Sequence, residues 1–305
     1  MSRTDPEHDP DPLETFSTAT RARFGEDGGT WIDHLPGLIA DLASRWTLET
    51  AGAVSAGEAY LVEATRAGES LRLELAYPDG WWDETTRALE AWNGHGVLRL
   101  VERDPRGARL LERSAAAPAD DEVAALRDAC VVARDLWIPP PAGITTVADE
   151  VRLWGSELSG RHVRAGSPFE REIVRHAAEL FGTLGPTQGD RVLLHGDLRL
   201  GTLALADERR VFVEPRPLVG EREFDVASLL RDMPMQLLND VNEGRARVRE
   251  RSDILIEELG CNPNRLRDWA FATAVDQGVW CAENGDHGTA TALVETARMI
   301  RALET

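Results

Sequence analysis

The chain of 305 residues contains no lysine, so its 34 lysine-or-arginine positions are all arginine. No ammonium side chain can therefore meet a phosphate, and any cationic role must fall to a planar guanidinium. Cysteine is almost as scarce. Cys130, Cys261 and Cys281 are an odd set without metal-ligand spacing, which excludes a disulfide framework and reads as reduced thiols of a cytosolic protein. No apolar run approaches the length of a membrane span, and the N-terminus lacks the basic and apolar segments of a signal. The expectation is a soluble, cytoplasmic protein with no membrane partner. Basic charge is also short, 34 positions against 53 acidic ones for a formal net charge of -19, which argues against nucleic acid as a partner. Such acidity would suit a cationic small molecule, and it serves solubility in any case. The length admits one large domain or two lobes with a substantial core.

What the chain does carry is concentrated in one stretch. Val192-Leu193-Leu194 is an apolar run ending in His195-Gly196-Asp197, Thr202 stands five residues beyond Asp197, and a second run, Val211-Phe212-Val213, ends at Glu214. The pattern predicts two short strands, joined by a short hairpin, that lift two carboxylates to one place. This is the arrangement of a kinase-type phosphoryl-transfer site, in which a base Asp is followed after four residues by a metal-holding Asn, with a second metal-binding Asp on the next strand pair. Asp197 fills the base position, Thr202 the Asn position and Glu214 the second Asp position. The alternative reading of Asp197 is a turn residue capping local amides. His195 reads as a hydrogen-bonding support for the loop rather than a proton carrier.

This stretch, with Glu214-Pro215-Arg216-Pro217-Leu218-Val219-Gly220 and Phe224-Asp225-Val226-Ala227 after it, resembles the aminoglycoside and hydroxyurea phosphotransferases, in their streptomycin 6-kinase-like branch. Members usually read His-Gly-Asp-Leu-His-Pro-Gly-Asn and then Ile-Asp-Pro-Lys-Pro. The resemblance covers roughly Trp46 to Trp280. It implies an α+β, two-lobe, protein-kinase-like fold with a small β-rich N-lobe and a helical C-lobe. It also implies ATP and magnesium as cofactors and transfer to a hydroxyl of a small-molecule acceptor, such as a cationic aminoglycoside. Asp225 is implied as the buried Asp that braces the catalytic loop through backbone amides. The segment Leu71 to Pro78 resembles the strand Val-Leu-Lys-Leu, whose Lys meets the nucleotide phosphates; Glu74 stands at the Lys position, with Arg72 two residues away on the same face. The helix through Ala88-Leu89-Glu90-Ala91-Trp92 resembles the one that supplies a Glu partner to that Lys, and Thr85 stands at its position. Leu110-Leu111-Glu112-Arg113 resembles the Leu-Leu-Glu-Arg hinge whose backbone binds adenine, which makes Glu112 a cofactor-binding candidate.

The frame is kept, and the letters that handle the nucleotide differ. Phosphoryl transfer is mostly positioning plus charge neutralisation, so these letters matter to rate. Glu214 can hold magnesium, Thr202 offers a hydroxyl in place of an amide oxygen, and Glu74 would set negative charge near the phosphates. Arg72 or Arg216 would have to supply the missing cation. Two functions stand: a weakly active or non-catalytic, pseudokinase-like binder of a small molecule or partner, and an active phosphotransferase using Asp197 as base and Glu214 as metal ligand.

Three regions are expected: a disordered acidic tail over 1–14, an N-lobe of a helix and antiparallel sheet over 15–114, and a helical C-lobe with the catalytic loop over 115–305. Strands are expected over 46–54, 58–65, 70–77, 94–102 and 109–113. Ser167-Pro168-Phe169-Glu170 reads as a capping box that opens a helix, and 226–239 as one continuous helix.

Overall fold

A computed structural model describes residues 11–56, 58–117 and 121–303. The chain divides into two compact units, one of residues up to Gly94 with Leu98–Ser114, the other of His95–Val97 with residues from Ala115 onward.

The first unit is a helix on a sheet. Helix α1 (Pro12–Arg45) starts with Pro at its first position and Asp11 as cap, whose side chain accepts the Leu13 amide, and it breaks at Gly25 (φ 60°). Pro12, Leu13 and Glu14 are thus helical, contrary to the expected tail, while residues 1–10 lie outside the described residues. Strands β1 (Glu49–Ala56), β2 (Tyr60–Arg66) and β3 (Glu69–Leu75), helix α2 (Gly80–Trp92), and strands β4 (Leu100–Asp104) and β5 (Ala108–Glu112) follow. The sheet is five-stranded and antiparallel where it pairs, in the order β1-β2-β3-β5-β4. Strand alternation decides its two faces. Leu71, Leu73 and Leu75 are fully buried and pack with Leu35, Leu38, Leu42 and Phe16 of α1 in one core. Each such leucine contributes about 2 kcal/mol of transfer free energy. The intervening residues, Arg72 and Glu74, point to the opposite face.

The second unit is mainly helical. It contains β6 (Ala115–Ala116), α3 (Glu122–Leu136), α4 (Val147–Arg164), α5 (Arg171–Leu184), β7 (Val192–Leu194), β8 (Leu203–Ala206), β9 (Arg209–Phe212) and β10 (Leu218–Gly220). Then come α6 (Arg222–Leu230), α7 (Pro234–Leu237), α8 (Val241–Leu259), α9 (Pro263–Glu283) and α10 (His287–Arg301). Strand β7 pairs with β10, and β8 pairs with both β6 and β9. The strands that end at Asp197 and Glu214 therefore belong to different sheets and are not one hairpin. Two helix expectations also fail locally. Helix α5 begins at Arg171 with no side-chain cap bond, because Ser167 sits at φ 56° and cannot reach the first turn. The stretch 226–239 breaks into α6 and α7, because Pro234 lacks the amide that would continue α6 and Met233 before it turns to φ 52°.

Candidate active site

The loop after β7 is built on a buried carboxylate. Asp225, on α6 and 1% exposed, accepts the amides of His195 at 3.0 Å and Gly196 at 2.7 Å, and the Trp137 indole at 3.3 Å. Burial pushes its carboxyl up to about 6, against the pull of these donors. Gly196 is obligatory here: it has φ 81°, and a Cβ would lie 1.9 Å from the Arg216 carbonyl oxygen. His195 is fully buried and packs 5.4 Å from the Phe212 ring. Its Nδ1 receives the Asp197 amide at 3.4 Å, and burial lowers its imidazole to about 4. The ring is therefore neutral at physiological pH and accepts a bond from within its own loop.

Asp197 is not free. Arg199 grips its carboxylate with both edges of the guanidinium, Nε to Oδ1 at 2.9 Å and Nη2 to Oδ2 at 2.8 Å. Burial opposes the charge on Arg199, but Asp197, with Asp232 and Glu214 behind it, overrides this and raises its pKa. Thr202 Oγ1 donates to the carbonyls of Arg199 and Asp197 at 2.9 and 3.2 Å and accepts the Arg199 amide at 3.1 Å. With this bonding and only 2% exposure, Thr202 ties the loop into a turn and is buried rather than turned to solvent. Glu214 is exposed, adds its negative charge to the surroundings of Arg199, and takes a left-handed φ of 59°, a strained conformation for glutamate. Its carboxylate is available to a cation. Among the described residues no cluster of three metal-ligating side chains exists, so magnesium would rest on Glu214, water and the phosphates themselves.

On the first unit, Glu74 lies opposite Arg109 of β5, and its carboxylate is 3.1 Å from Arg109 Nε. Arg109 is 2% exposed and lies 3.6 Å over the Trp82 ring of α2. The side chain expected to repel phosphates is thus neutralised by a neighbouring strand. Arg72 pairs with Glu63 of β2 at 3.1 Å, and Arg113 meets the same Glu63 at 3.2 Å. Thr85 is buried and donates its hydroxyl to the Trp81 carbonyl, so it is no partner for Glu74. Glu112 is turned to the structure as well: its amide and its carboxylate both engage Arg99. Arg216 supplies its amide to the His195 carbonyl at 2.7 Å.

A profile of the family described as aminoglycoside/hydroxyurea antibiotic resistance kinase matches residues 45–285. The chain belongs to this family. Among curated relatives of this antibiotic resistance kinase family, the streptomycin 6-kinase of Streptomyces glaucescens is 32% identical over 302 residues, covering 96% of each chain. The hydroxyurea phosphotransferase of Kitasatospora aureofaciens is 33% identical and covers 86% of this chain and 77% of its own length. Solved structures show the fold: a choline kinase of Streptococcus pneumoniae superposes with a TM-score of 0.60 at 12% identity over 88% of this chain and 99% of its own. An ethanolamine kinase of Plasmodium vivax does so at 0.60 and 11%, over 98% of each. The family member described here has the kinase-like α+β architecture expected from its sequence. Among its described residues no helix is long and apolar enough to cross a membrane.

Of the residues named from the sequence, the structure brings Asp197, His195 and Asp225 together, the last bonded from α6 to the loop that carries the other two. Sequence reasoning missed Arg199 and Arg109. The spacing Asp197-x-Arg199 was a signal within reach of the sequence; the pairing of Glu74 with Arg109 depends on strand register and was not.

Proposed function

We propose that this protein is a pseudokinase-like member of its family that holds a small molecule and transfers phosphate to it weakly or not at all. The observation that carries this reading is the charged face of the first unit's sheet. Arg72, Arg109 and Arg113 each already have a carboxylate partner in Glu63 or Glu74. A phosphate arriving there must displace an existing ion pair, and an adenine ring finds guanidinium and carboxylate groups where an apolar wall would hold it. With an amide ligand absent at Thr202, Glu214 is the carboxylate that this reading assigns to magnesium. In this reading ATP with magnesium binds weakly, Asp197 remains the group able to accept an acceptor's hydroxyl proton, and the acceptor is a small molecule of the kind for which the relatives are named.

The second reading, an active phosphotransferase, is favoured by one observation: Arg109 cancels the charge that Glu74 would otherwise bring to the phosphates. The two are separated by titrating the protein with ATP, with and without magnesium, and then assaying transfer to streptomycin and to hydroxyurea. Weak binding and turnover far below a streptomycin 6-kinase support the first. Tight magnesium-dependent binding with Asp197-dependent turnover establishes the second.

A further inference from the structure

Arg199 stands two residues after Asp197 and occupies both oxygens of its carboxylate. These are the oxygens that would take a hydroxyl proton, and two charge-assisted bonds outcompete the single bond that a neutral hydroxyl offers. Yet burial does not lock the guanidinium in place: the Arg199 side chain is 40% exposed, that of Asp197 19%. The backbone is what is locked, since Arg199 exchanges two hydrogen bonds with the Thr202 hydroxyl. The side chain can therefore change partners without moving the loop. Arg231, the other cation acting on Asp197, is committed to Gln277 and Ser228. Glu214 and Asp232 add negative charge around Arg199 but do not hold its nitrogens.

We propose that Arg199 is an exchangeable clamp on Asp197, drawn off the carboxylate by the terminal phosphoryl group of a nucleoside triphosphate. A phosphate offers the guanidinium three acceptor oxygens and more charge than a carboxylate, in a geometry that the planar fork matches. Arrival of the phosphate thus frees the base and, in the same exchange, provides the phosphate contact that no lysine in this chain can provide. In the transfer itself the acceptor's hydroxyl proton passes to Asp197, and the acceptor oxygen bonds to the terminal phosphorus. The bond from that phosphorus to its bridging oxygen breaks, and its electron pair leaves with the nucleoside diphosphate. Arg199 meets the charge spread over the phosphoryl oxygens. The inference rests on the assignment of Asp197 as base, and its test is made on binding so that it does not depend on turnover.

The experiment is a double-mutant cycle of ATP affinity with magnesium present, on the full chain: wild type, Arg199→Ala, Asp197→Ala and the double variant, with AMP as control. Asp197→Ala releases the guanidinium and is expected to tighten ATP by about tenfold, the worth of a charge-assisted contact. Arg199→Ala is expected to weaken it about as much, and in that background the gain from Asp197→Ala shrinks to less than about threefold. AMP, without the terminal phosphoryl, responds to neither change, and Arg199→Lys keeps part of the ATP affinity. An unchanged ATP affinity in a folded Arg199→Ala variant, an equal gain from Asp197→Ala in both backgrounds, or no ATP binding by any of the four proteins at millimolar concentration overturns the proposal. Fast turnover by the wild type would overturn the weak-transfer reading instead, leaving the clamp to be judged on the affinities.

Discussion

Replacing Glu74 by lysine looks like the repair of a kinase strand, and the structure says that it damages the protein first. The Glu74 carboxylate is the ion-pair partner of Arg109, 3.1 Å away, and Arg109 is 2% exposed with its guanidinium on the Trp82 ring. Removing one partner of a buried pair costs about 3 to 5 kcal/mol, because the other charge is left without compensation. A new ammonium beside it adds repulsion: two unit charges about 4 Å apart at an effective dielectric near 20 interact by roughly 4 kcal/mol. Glu74 keeps 19% of its side-chain surface, so a lysine can swing outward and shed part of that repulsion. The expected loss for Glu74→Lys is therefore about 4 kcal/mol, a large share of a typical domain's stability. Urea denaturation followed by circular dichroism measures it, and hydrogen exchange at the β3 and β5 amides locates it. Combining Glu74→Lys with Arg109→Met removes the repulsion and should recover at least half of the loss, since only the stacking of the guanidinium on Trp82, about 1 to 2 kcal/mol, is then missing. That double variant, not Glu74→Lys alone, is expected to raise ATP affinity. Denaturation of Glu74→Lys at the wild-type midpoint would refute the reasoning.

Other outcomes follow from the loop. Asp225→Ala leaves the amides of His195 and Gly196 and the Trp137 indole without their acceptor, and it should lower stability by about 3 kcal/mol or more in chemical denaturation. Gly196→Ala must both adopt φ 81° and clear the Arg216 carbonyl, so its melting temperature should fall with a cost of about 3 kcal/mol or more; an unchanged melting temperature would contradict the loop geometry. His195, lowered to about 4, should show no imidazole titration between pH 5 and 8 by nitrogen-detected NMR, and a midpoint near the usual value would contradict its burial. Its folded value lies below the unfolded one, so the stability it contributes is present above about pH 6.5 and is lost as pH falls through about 4. Asp225 is raised to about 6 and works in the opposite sense, its stability being present below about pH 4 and lost as pH rises through about 6. The two effects offset each other between about pH 4 and 6, and His195→Gln should expose the Asp225 slope in that window.

The parts of this protein that were legible in its sequence are those fixed by local pattern. An apolar run ending at His195-Gly196-Asp197, the helix stripe of Leu35, Leu38 and Leu42, and the turn residues between β1, β2 and β3 each specify their own conformation within a few residues. What was not legible depends on residues far apart in the chain. The neutralisation of Glu74 by Arg109 requires the register of β3 against β5, and the pairing of β7 with β10 rather than with the strand before Glu214 requires the path of the whole loop. Thr202 shows a third kind of failure. Its place in the motif says nothing of the three hydrogen bonds that its hydroxyl makes to the loop backbone.

The central claim is that a family frame with an intact base has lost its hold on the nucleotide. The most direct measurement is phosphoryl transfer from ATP with magnesium to streptomycin by the purified protein, beside a streptomycin 6-kinase under identical conditions. The account predicts a rate lower by at least about a hundredfold, the loss expected when one charge-stabilising group is removed from a transfer site. A rate comparable to that enzyme's, abolished by Asp197→Ala, would contradict it.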